Sequence, residues 1–366
     1  MSPLVQIIYG EMAKQGAIPF ARFMELALYC PECGFYEREE DSVGRGGDFY
    51  TSVSVGPLFG ELLAFQCARW GETAQGADGG LRIVEAGAHQ GHLARDVLGW
   101  LKARRPKLSE RTEYVIQEPS PRRREWQRRT LVDFAAQVTW TDGFSLLRSA
   151  PGAPQFTIVL ANELLDAMPV RRFGWDAAQR TWFEWGVGMA DGRFVWSRLS
   201  GEVNAVTLHL PSSPELLDVL PDGYVFETSP AAEQWWQAAA GSLTQGKLLT
   251  CDYGFGSQET VSPGRLSGTL RAHCQHRQSS DVLSAPGEQD LTAHVDFSRI
   301  EAVGCAAGLR TELFDTQARY LTGLAAEAWK PEAQFGTWDA RRTRQFQTLT
   351  HPEHLGRSFR VLIQSR

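Results

Sequence analysis

The sequence has few of the features that mark membrane, fibrous or nucleic-acid-binding proteins. No apolar run approaches the roughly 18 residues that a membrane-spanning helix needs, so we expect no membrane span. Its 366 residues carry 37 basic and 43 acidic side chains, which makes a nucleic-acid partner unlikely because such binders are usually basic. Hydrophobic residues make up 43% of the chain, which is typical of a globular protein with a sizeable core.

Two local patterns are missing or incomplete. Residues 1–10 contain no basic segment followed by an apolar one, and no Arg- and Ser-rich transit sequence, so we expect a cytoplasmic protein. The 6 cysteines are too few and too scattered for a disulfide scaffold. Cys30 and Cys33 have the spacing of half a zinc site, but no second pair follows, so we predict no metal site.

Strands alternate with helices through much of the chain, which predicts an α/β fold with a mostly parallel sheet. The predicted strands are 81–86, 114–118, 138–140, 156–161 and 247–251, followed by 309–314 and 359–364. Helices are predicted over 18–29, 57–70 and 92–103, and an Arg-rich helix follows the strand 114–118 to about residue 134, with a turn-rich linker at 71–80. Residues 170–223 depart from the alternation, and their Trp-rich segments, together with Ala-Val-Thr-Leu-His-Leu at 205–210, predict an antiparallel β insertion.

The strongest chemical signal is a glycine turn after the strand 81–86. Gly87 and Gly91 let the backbone turn tightly and approach a ligand, but their spacing is not that of a dinucleotide-binding fingerprint. Glu85 precedes the turn, where an acid suits a cationic ligand such as the amino-acid end of S-adenosylmethionine. The alternative is an ordinary strand-to-helix turn.

Acids also follow the next two strands. Glu118 stands where nucleoside-binding α/β folds place an acid that accepts hydrogen bonds from both ribose hydroxyls. Asp142 follows the third strand, where a carboxylate can accept a hydrogen bond from an adenine amino group. The alternative for Glu118 is a solvated acid at a strand end.

A polar group leaves the fourth strand at the carboxyl edge of the sheet, where ligands bind in open α/β folds. Asn162, Glu163 and Asp166 would present one amide and two carboxylates there. The alternative is a helix cap, since Asn and Asp accept hydrogen bonds from backbone N–H groups at a helix start.

Together these segments resemble the MidA family of class I S-adenosylmethionine-dependent methyltransferases. Mitochondrial members of that family are complex I assembly factors that methylate an arginine on a complex subunit. The resemblance spans nearly the whole chain, and its segments are Phe23-Met, Leu28-Tyr, Gly34-Phe-Tyr36, Gly47-Asp-Phe-Tyr-Thr-Ser52, Phe59-Gly-Glu61, residues 85–93, Gln117-Glu-Pro-Ser120, Ala161-Asn-Glu-Leu-Leu-Asp-Ala-Met-Pro-Val170, Asp252-Tyr-Gly254, Gly268-Thr-Leu-Arg271, His276, residues 286–297, Gly356 and Phe359.

The resemblance implies a Rossmann-like methyltransferase sheet with an N-terminal helical and loop cap and an antiparallel β insertion. We expect a cap at 1–75, a cofactor-binding core at 76–169 and 240–366, and the insertion at 170–239. His89 stands where the family usually has a glycine. The cofactor is expected to be S-adenosyl-L-methionine, covered by the loop 47–52, and the expected cofactor-binding residues are Asp48, Thr51, Ser52, Glu85, Gly87, His89, Gly91, Glu118 and Asp142.

The resemblance further implies an arginine N-methyltransferase that acts on a partner protein, such as a respiratory complex subunit. Carboxylates can grip a guanidinium bidentately and orient one nitrogen towards the methyl group. Glu163 is the first candidate for that grip, with Asp166 or Asp296 second and Asn162 as a positioning group. The alternatives are a small-molecule O- or N-methyltransferase and an assembly chaperone that retains the fold, which His89 favours. The oligomeric state stays open.

Overall fold

The structure is a computed structural model that describes residues 2–38, 51–75, 80–144, 156–274 and 277–366. Its α-helices are α1 (Pro3–Gln15), α2 (Phe20–Tyr29), α3 (Leu58–Gln75), α4 (His92–Arg104), α5 (Pro106–Ser109), α6 (Pro121–Thr130), α7 (Pro214–Leu217), α8 (Pro230–Ser242), α9 (Phe297–Ala306), α10 (Gln317–Ala328) and α11 (Ala340–Thr350). Its strands are β1 (Ile18–Pro19), β2 (Leu81–Ala86), β3 (Thr112–Gln117), β4 (Val138–Thr141), β5 (Phe156–Asn162), β6 (Arg171–Asp176), β7 (Thr181–Ala190), β8 (Arg193–Arg198), β9 (Val225–Thr228), β10 (Gly246–Phe255), β11 (Arg271–Cys274), β12 (Arg277–Ser279), β13 (Asp290–Thr292), β14 (Val295–Asp296), β15 (Arg310–Thr316) and β16 (Phe359–Ser365).

The central sheet has the strand order β15-β16-β10-β5-β2-β3-β4. Strands β10, β5, β2, β3 and β4 run parallel, and β16 runs antiparallel to both of its neighbours. The strand order reverses between β2 and β5, so a crevice opens beyond the carboxyl ends of these two strands. This is the predicted α/β architecture, and it places the glycine turn next to the Asn162–Glu163 segment.

Both faces of the central sheet are buried, as expected for parallel strands. Side chains of β2 alternate between the two cores, since Ile83 packs with α3 and α4 while Val84 packs with α8 and α9. Helices α10 and α11 also pack on the α3 side of the sheet. The crevice is therefore framed by rigid, well-packed elements.

A second, antiparallel sheet has the order β1-β7-β6-β9, with β8 paired to β7. It contains the predicted β insertion, but it also recruits Ile18 from the N-terminal segment, which pairs with Val187. The two segments thus share one sheet. The exact division of the chain into cap, core and insertion stays a prediction.

Three local expectations differ from the structure. The helix predicted over 18–29 begins only at Phe20, because Ile18 and Pro19 form the short strand β1. The predicted linker at 71–80 is helical up to Gln75. Residues 205–210 were expected to form a strand but form turns. The Asn204 side chain accepts a hydrogen bond from the Thr207 N–H at 3.0 Å, which favours the turn. Within the described residues, no helix combines the length and the apolar character required to cross a bilayer.

Candidate active site

The glycine turn after β2 adopts the left-handed backbone that its sequence suggests. Gly87 and Gly91 have φ angles of 73° and 83°, and His89 between them has a φ of 45°. A Cβ added to Gly87 would lie 3.0 Å from Leu164 Cδ1, so the turn packs closely on the segment that follows β5. The His89 carbonyl accepts a hydrogen bond from Gln127 Nε2 at 3.0 Å. His89 therefore occupies the conformation that glycine would favour, and a buried side chain from α6 contacts its backbone.

Glu85, the last acid of β2, is 2% exposed and beside the turn. The Tyr114 hydroxyl donates to its Oε2 at 2.6 Å. Burial raises the pKa of Glu85 to about 7, although the hydrogen bond from Tyr114 opposes this change. A cationic ligand beside this carboxyl would favour its charged form.

Glu118 follows β3 and is held by a buried network. Its Oε1 accepts from the Ser120 N–H at 2.9 Å and pairs with Arg123 Nη2 at 3.0 Å. Its Oε2 accepts from Gln127 Nε2 at 3.2 Å. Burial raises the pKa of Glu118, and Arg123 opposes this change. Gln127 thus connects Glu118, the acid expected to bind ribose hydroxyls, to the glycine turn.

Asp142 lies elsewhere. Its side chain is 81% exposed and pairs with Arg124, and it lines neither of the two cavities described below. The structure therefore does not bring Asp142 into the crevice, because the residue points outward from the end of β4.

The Asn162–Glu163 segment lies beside the glycine turn, since β5 and β2 are paired up to Ala161 and Ala86. Glu163 has a φ of 51°, an uncommon conformation for this residue type that is often found at functional sites. Its Oε1 accepts from the Ser52 N–H at 2.8 Å and from Asn162 Nδ2 at 3.0 Å. Glu163 Oε2 and Asn162 Oδ1 are buried and accept no hydrogen bond from the described residues. Burial raises the pKa of Glu163 to about 8 against these two hydrogen bonds.

Asp166 is not a second grip on the crevice. It is 5% exposed and lines neither cavity. Asp252, fully buried on β10, accepts hydrogen bonds from the N–H groups of Leu164 and Leu165 at 3.1 and 2.8 Å. Burial and this neighbouring carboxyl hold the pKa of Asp166 well above its ordinary range. Asp166 therefore lies behind the turn, beside Asp252, and not within the crevice.

Asp296, the other candidate for gripping the substrate guanidinium, lies outside the crevice. It caps α9, with its side chain accepting from the Ser298 N–H at 3.0 Å and the Arg299 N–H at 3.3 Å. Its carboxylate lines a small separate cavity of about 30 Å³ that does not include Glu163. The structure does not bring Asp296 and Glu163 together, and the capping role explains why an acid stands there.

Two adjoining cavities form the crevice. One, of about 500 Å³, is lined by Glu85, the glycine turn, Asn162 and Glu163. The other, of about 630 Å³, is lined by Gln117, Glu118, Met168 and Trp235. Both share Tyr29, Gly87, Arg123 and Leu164 in their walls. A single elongated ligand can therefore extend from Glu118 to Glu85 past the glycine turn.

The loop expected to cover the cofactor is described only in part. Asp48 lies outside the described residues. Thr51 lines the cavity of about 500 Å³ that Glu163 also lines. The Ser52 side chain, in contrast, is fully buried and donates to Gln317 Oε1 at 3.0 Å. Only the backbone N–H of Ser52 is directed to Glu163.

Several crevice residues were not predicted from the sequence as functional. Tyr29 and Tyr36 line the cavity with Glu163, and the Tyr36 hydroxyl donates to Asp290 Oδ1 at 2.7 Å. Arg341, at the start of α11, lines the same cavity. The two tyrosines and Asp290 fall within or beside the family-like segments, which is the one signal that would have pointed to them.

The comparisons with known proteins agree with this geometry. The family described as "Putative S-adenosyl-L-methionine-dependent methyltransferase" matches residues 62–314. A crystal structure from Burkholderia thailandensis bound to S-adenosyl-homocysteine is 34% identical, with a TM-score of 0.82, and the match covers 99% of this chain and 92% of that one. A native crystal structure from the same organism is 33% identical, with a TM-score of 0.79, covering 99% and 91% of the two chains.

Curated relatives carry more specific names. The zebrafish (Danio rerio) protein arginine methyltransferase NDUFAF7, mitochondrial, is 28% identical over 97% of this chain and 85% of its own. The Drosophila melanogaster homologue of the same name is 29% identical over 97% and 84%. Since these relatives are mitochondrial proteins, they contradict the expected cytoplasmic location, which depended only on a missing targeting pattern.

Proposed function

Since the chain belongs to this family of S-adenosyl-L-methionine-dependent methyltransferases, we propose that it methylates a guanidinium nitrogen of an arginine in a partner protein. The names of the curated relatives support this substrate class. The observation that carries the proposal is the pair of buried acceptors, Glu163 Oε2 and Asn162 Oδ1, beside the glycine turn. Both can accept hydrogen bonds from a planar cationic donor.

The crevice fits the cofactor of this family. Glu118 has the position of a ribose-binding acid, and its carboxylate would share its acceptor capacity between Arg123 and the ribose hydroxyls. Gly87 and Gly91 allow the close backbone approach that the middle of the ligand requires. Glu85 would hold the cofactor's ammonium group, which also favours the charged form of this buried carboxyl. When bound, S-adenosyl-L-methionine supplies an electrophilic methyl group on a sulfonium.

The chain's own residues then orient the substrate. Glu163 Oε2 grips the guanidinium, and Asn162 Oδ1 fixes its plane. The carboxylate Oε1 cannot rotate freely because Ser52 and Asn162 both donate to it. The methyl group would leave the cofactor's sulfonium, which would become the neutral thioether of S-adenosyl-homocysteine, and Glu163 would accept the proton that the guanidinium nitrogen gives up. Positioning of this kind supplies several kcal/mol of rate acceleration.

The direct test is transfer of radiolabelled methyl groups from the cofactor to host proteins and to a separate metabolite fraction. Labelled protein should yield methylarginine after hydrolysis, and the label should be absent when Glu163→Gln replaces the wild type. Label found only in small molecules would favour the small-molecule O- or N-methyltransferase instead. A protein that binds the cofactor but labels neither fraction would favour the chaperone.

We expect kcat/KM for an arginine peptide to rise with pH, with a midpoint near 8. The reason is that burial raises the pKa of Glu163 to about 8, and only the ionised carboxylate grips a guanidinium. Below that value the carboxyl is protonated in the free enzyme, and the rate falls. Initial rates at low peptide concentration between about pH 6 and 9.5 measure this profile. A flat profile across that range would contradict the role of Glu163 as an ionised group.

Arg341 is expected to bind the carboxylate of the cofactor's amino-acid end. It lines the same cavity as His92, the first residue of α4, and no described carboxylate forms an ion pair with its guanidinium. The N-terminus of α4 also favours an anion. Arg341→Ala should weaken S-adenosyl-homocysteine binding by about 2- to 5-fold, the size of an exposed ion pair.

A truncated ligand supplies the control for Arg341. Calorimetry with 5′-methylthioadenosine, which lacks the amino-acid end, should give the same affinity for wild type and Arg341→Ala. Arg344→Ala removes another exposed arginine of α11 that lines neither cavity, and it should change neither ligand's binding. Equal weakening of both ligands by Arg341→Ala would show that the effect is not directed at the carboxylate.

A further inference from the structure

Ser52 links the catalytic carboxylate to a distant part of the chain. The residue has no exposed surface. Its N–H donates to Glu163 Oε1 at 2.8 Å, while its hydroxyl donates in the other direction, to Gln317 Oε1 at 3.0 Å. The hydroxyl therefore has no access to the crevice, and the residue acts on the crevice only through its backbone.

Gln317 is the first residue of α10 and is likewise without exposed surface. Its Nε2 donates to the Leu349 carbonyl of α11 at 2.9 Å. Its Oε1 accepts from both Ser52 Oγ and Cys251 Sγ, the latter at 2.9 Å. Because the donor side and the acceptor side of the amide are both engaged, its orientation is determined.

The same loop has a second attachment to α11. Gln345 Oε1 accepts from the Leu58 N–H at 3.1 Å. Gly56 lies so close to Gln345 that an added Cβ would be 2.2 Å from its Nε2. The described segment 51–58, which carries Ser52, is thus held between Glu163 and the C-terminal helices.

The carboxylate of Glu163 depends on this attachment for its orientation. Its backbone is held by the hydrogen bond from the Glu163 N–H to the Cys251 carbonyl at 2.9 Å. Its Oε1 is held by Ser52 and Asn162, so that Oε2 is the oxygen left for a ligand. A shift of the Ser52 N–H would release one of the two donors that determine which oxygen faces the crevice.

We propose that Gln317 is a positioning residue which, through the Ser52 hydroxyl, aims the Ser52 N–H at Glu163 and so sets the orientation of the substrate-gripping carboxylate. This inference rests on the proposed role of Glu163 in holding the substrate. Ser52 was expected to bind the cofactor. In this inference it instead positions Glu163, because its side chain faces the protein interior and not the cofactor.

The test compares two partners of the same Gln317 oxygen. Ser52→Ala removes the hydroxyl that ties the loop, and Cys251→Ala removes the other donor without touching the loop. Gln317→Leu removes the amide itself. The pKa of Glu163 is followed by ¹³C NMR of glutamate carboxyl groups in the full-length protein, with Glu163→Gln to assign the signal.

Ser52→Ala and Gln317→Leu should raise the pKa of Glu163 by roughly 0.5 to 1 unit, because a hydrogen bond that favours the charged form is weakened. The pH midpoint of kcat/KM should move upward by the same amount, while affinity for 5′-methylthioadenosine stays unchanged. Combining the two substitutions should give no further shift, since both act through one contact. Cys251→Ala should leave the pKa in place even where it lowers thermal stability.

An unchanged Glu163 pKa in Ser52→Ala would overturn the inference, as would an equal shift in Cys251→Ala, which would indicate a general loosening of the core. The NMR readout needs no methyl transfer. A shifted pKa in a protein that fails to methylate arginine would therefore remove the proposed substrate class and retain the positioning contact.

Discussion

Glu163→Gln is expected to lower kcat for arginine methylation by roughly 100- to 1,000-fold, the range seen when one preorganised electrostatic contact is removed from an active site. The amide keeps the shape of the side chain and can still accept from Ser52 and Asn162. It cannot supply the negative charge that grips a guanidinium, and it cannot accept the departing proton. Affinity for S-adenosyl-homocysteine should change by less than about 3-fold, because the proposed role of Glu163 is to bind the substrate and not the cofactor.

The comparison with Asp166 makes this prediction specific. Asp166→Asn alters a carboxyl that lines neither cavity and whose pKa is raised by burial and by Asp252. It should therefore lose far less activity than Glu163→Gln. Single-turnover rates and calorimetry with S-adenosyl-homocysteine on both variants provide the measurement. If Glu163→Gln reduces cofactor affinity as much as turnover, Glu163 belongs to the cofactor site instead.

Glu118→Ala is expected to weaken S-adenosyl-homocysteine binding by at least about 100-fold, since two hydrogen bonds to a charged acceptor are lost together. Among the described residues, the same substitution leaves Arg123 with the longer contact to Glu37 at 3.5 Å, so a more weakly paired cation would remain at the ribose position. Both effects act against binding. Calorimetry on the folded, ligand-stripped variant measures the loss.

Two matched tests isolate the ribose contact. In the proposed binding mode Glu118 contacts the nucleoside half, so 5′-methylthioadenosine should lose as much affinity as S-adenosyl-homocysteine, in contrast to the pattern expected for Arg341→Ala. Glu118→Gln keeps the acceptor oxygen and should lose less. Undiminished binding by Glu118→Ala would place the nucleoside elsewhere in the crevice.

Most of the proposed site residues lie at or after strands that the sequence pattern predicts. Glu85 lies in β2, whereas the glycine turn, Glu118 and Glu163 follow apolar strands that are neighbours in a parallel sheet, and the carboxyl ends of these strands meet at one edge. The predicted α/β methyltransferase fold, the cofactor and the enzyme class are confirmed by the comparisons. The fold can thus be predicted from local periodicity, because each strand is recognisable from its own run of apolar residues.

The parts that sequence did not predict depend on tertiary contacts. Gln127 lies in an Arg-rich helix whose pattern suggests a solvated face, yet it is fully buried and reaches Glu118 and the His89 carbonyl. The inward direction of the Ser52 hydroxyl requires Gln317, which is distant in the chain. Asp296 is the exception, because an acid immediately before an amphipathic helix is a recognisable capping signal.

The pairing of Ile18 with Val187 in strands β1 and β7 has a consequence for the order of folding. Tyr36 of the N-terminal segment also donates a hydrogen bond to Asp290. The side of the crevice that Tyr29 and Tyr36 line therefore depends on contacts between residues that the ribosome adds early and residues that it adds late. Contacts of such long sequence separation form late, since the intervening chain must first be ordered. The half of the crevice built from β2, β3 and the glycine turn can therefore assemble during synthesis, whereas the side that faces the substrate closes only when most of the chain has emerged from the ribosome.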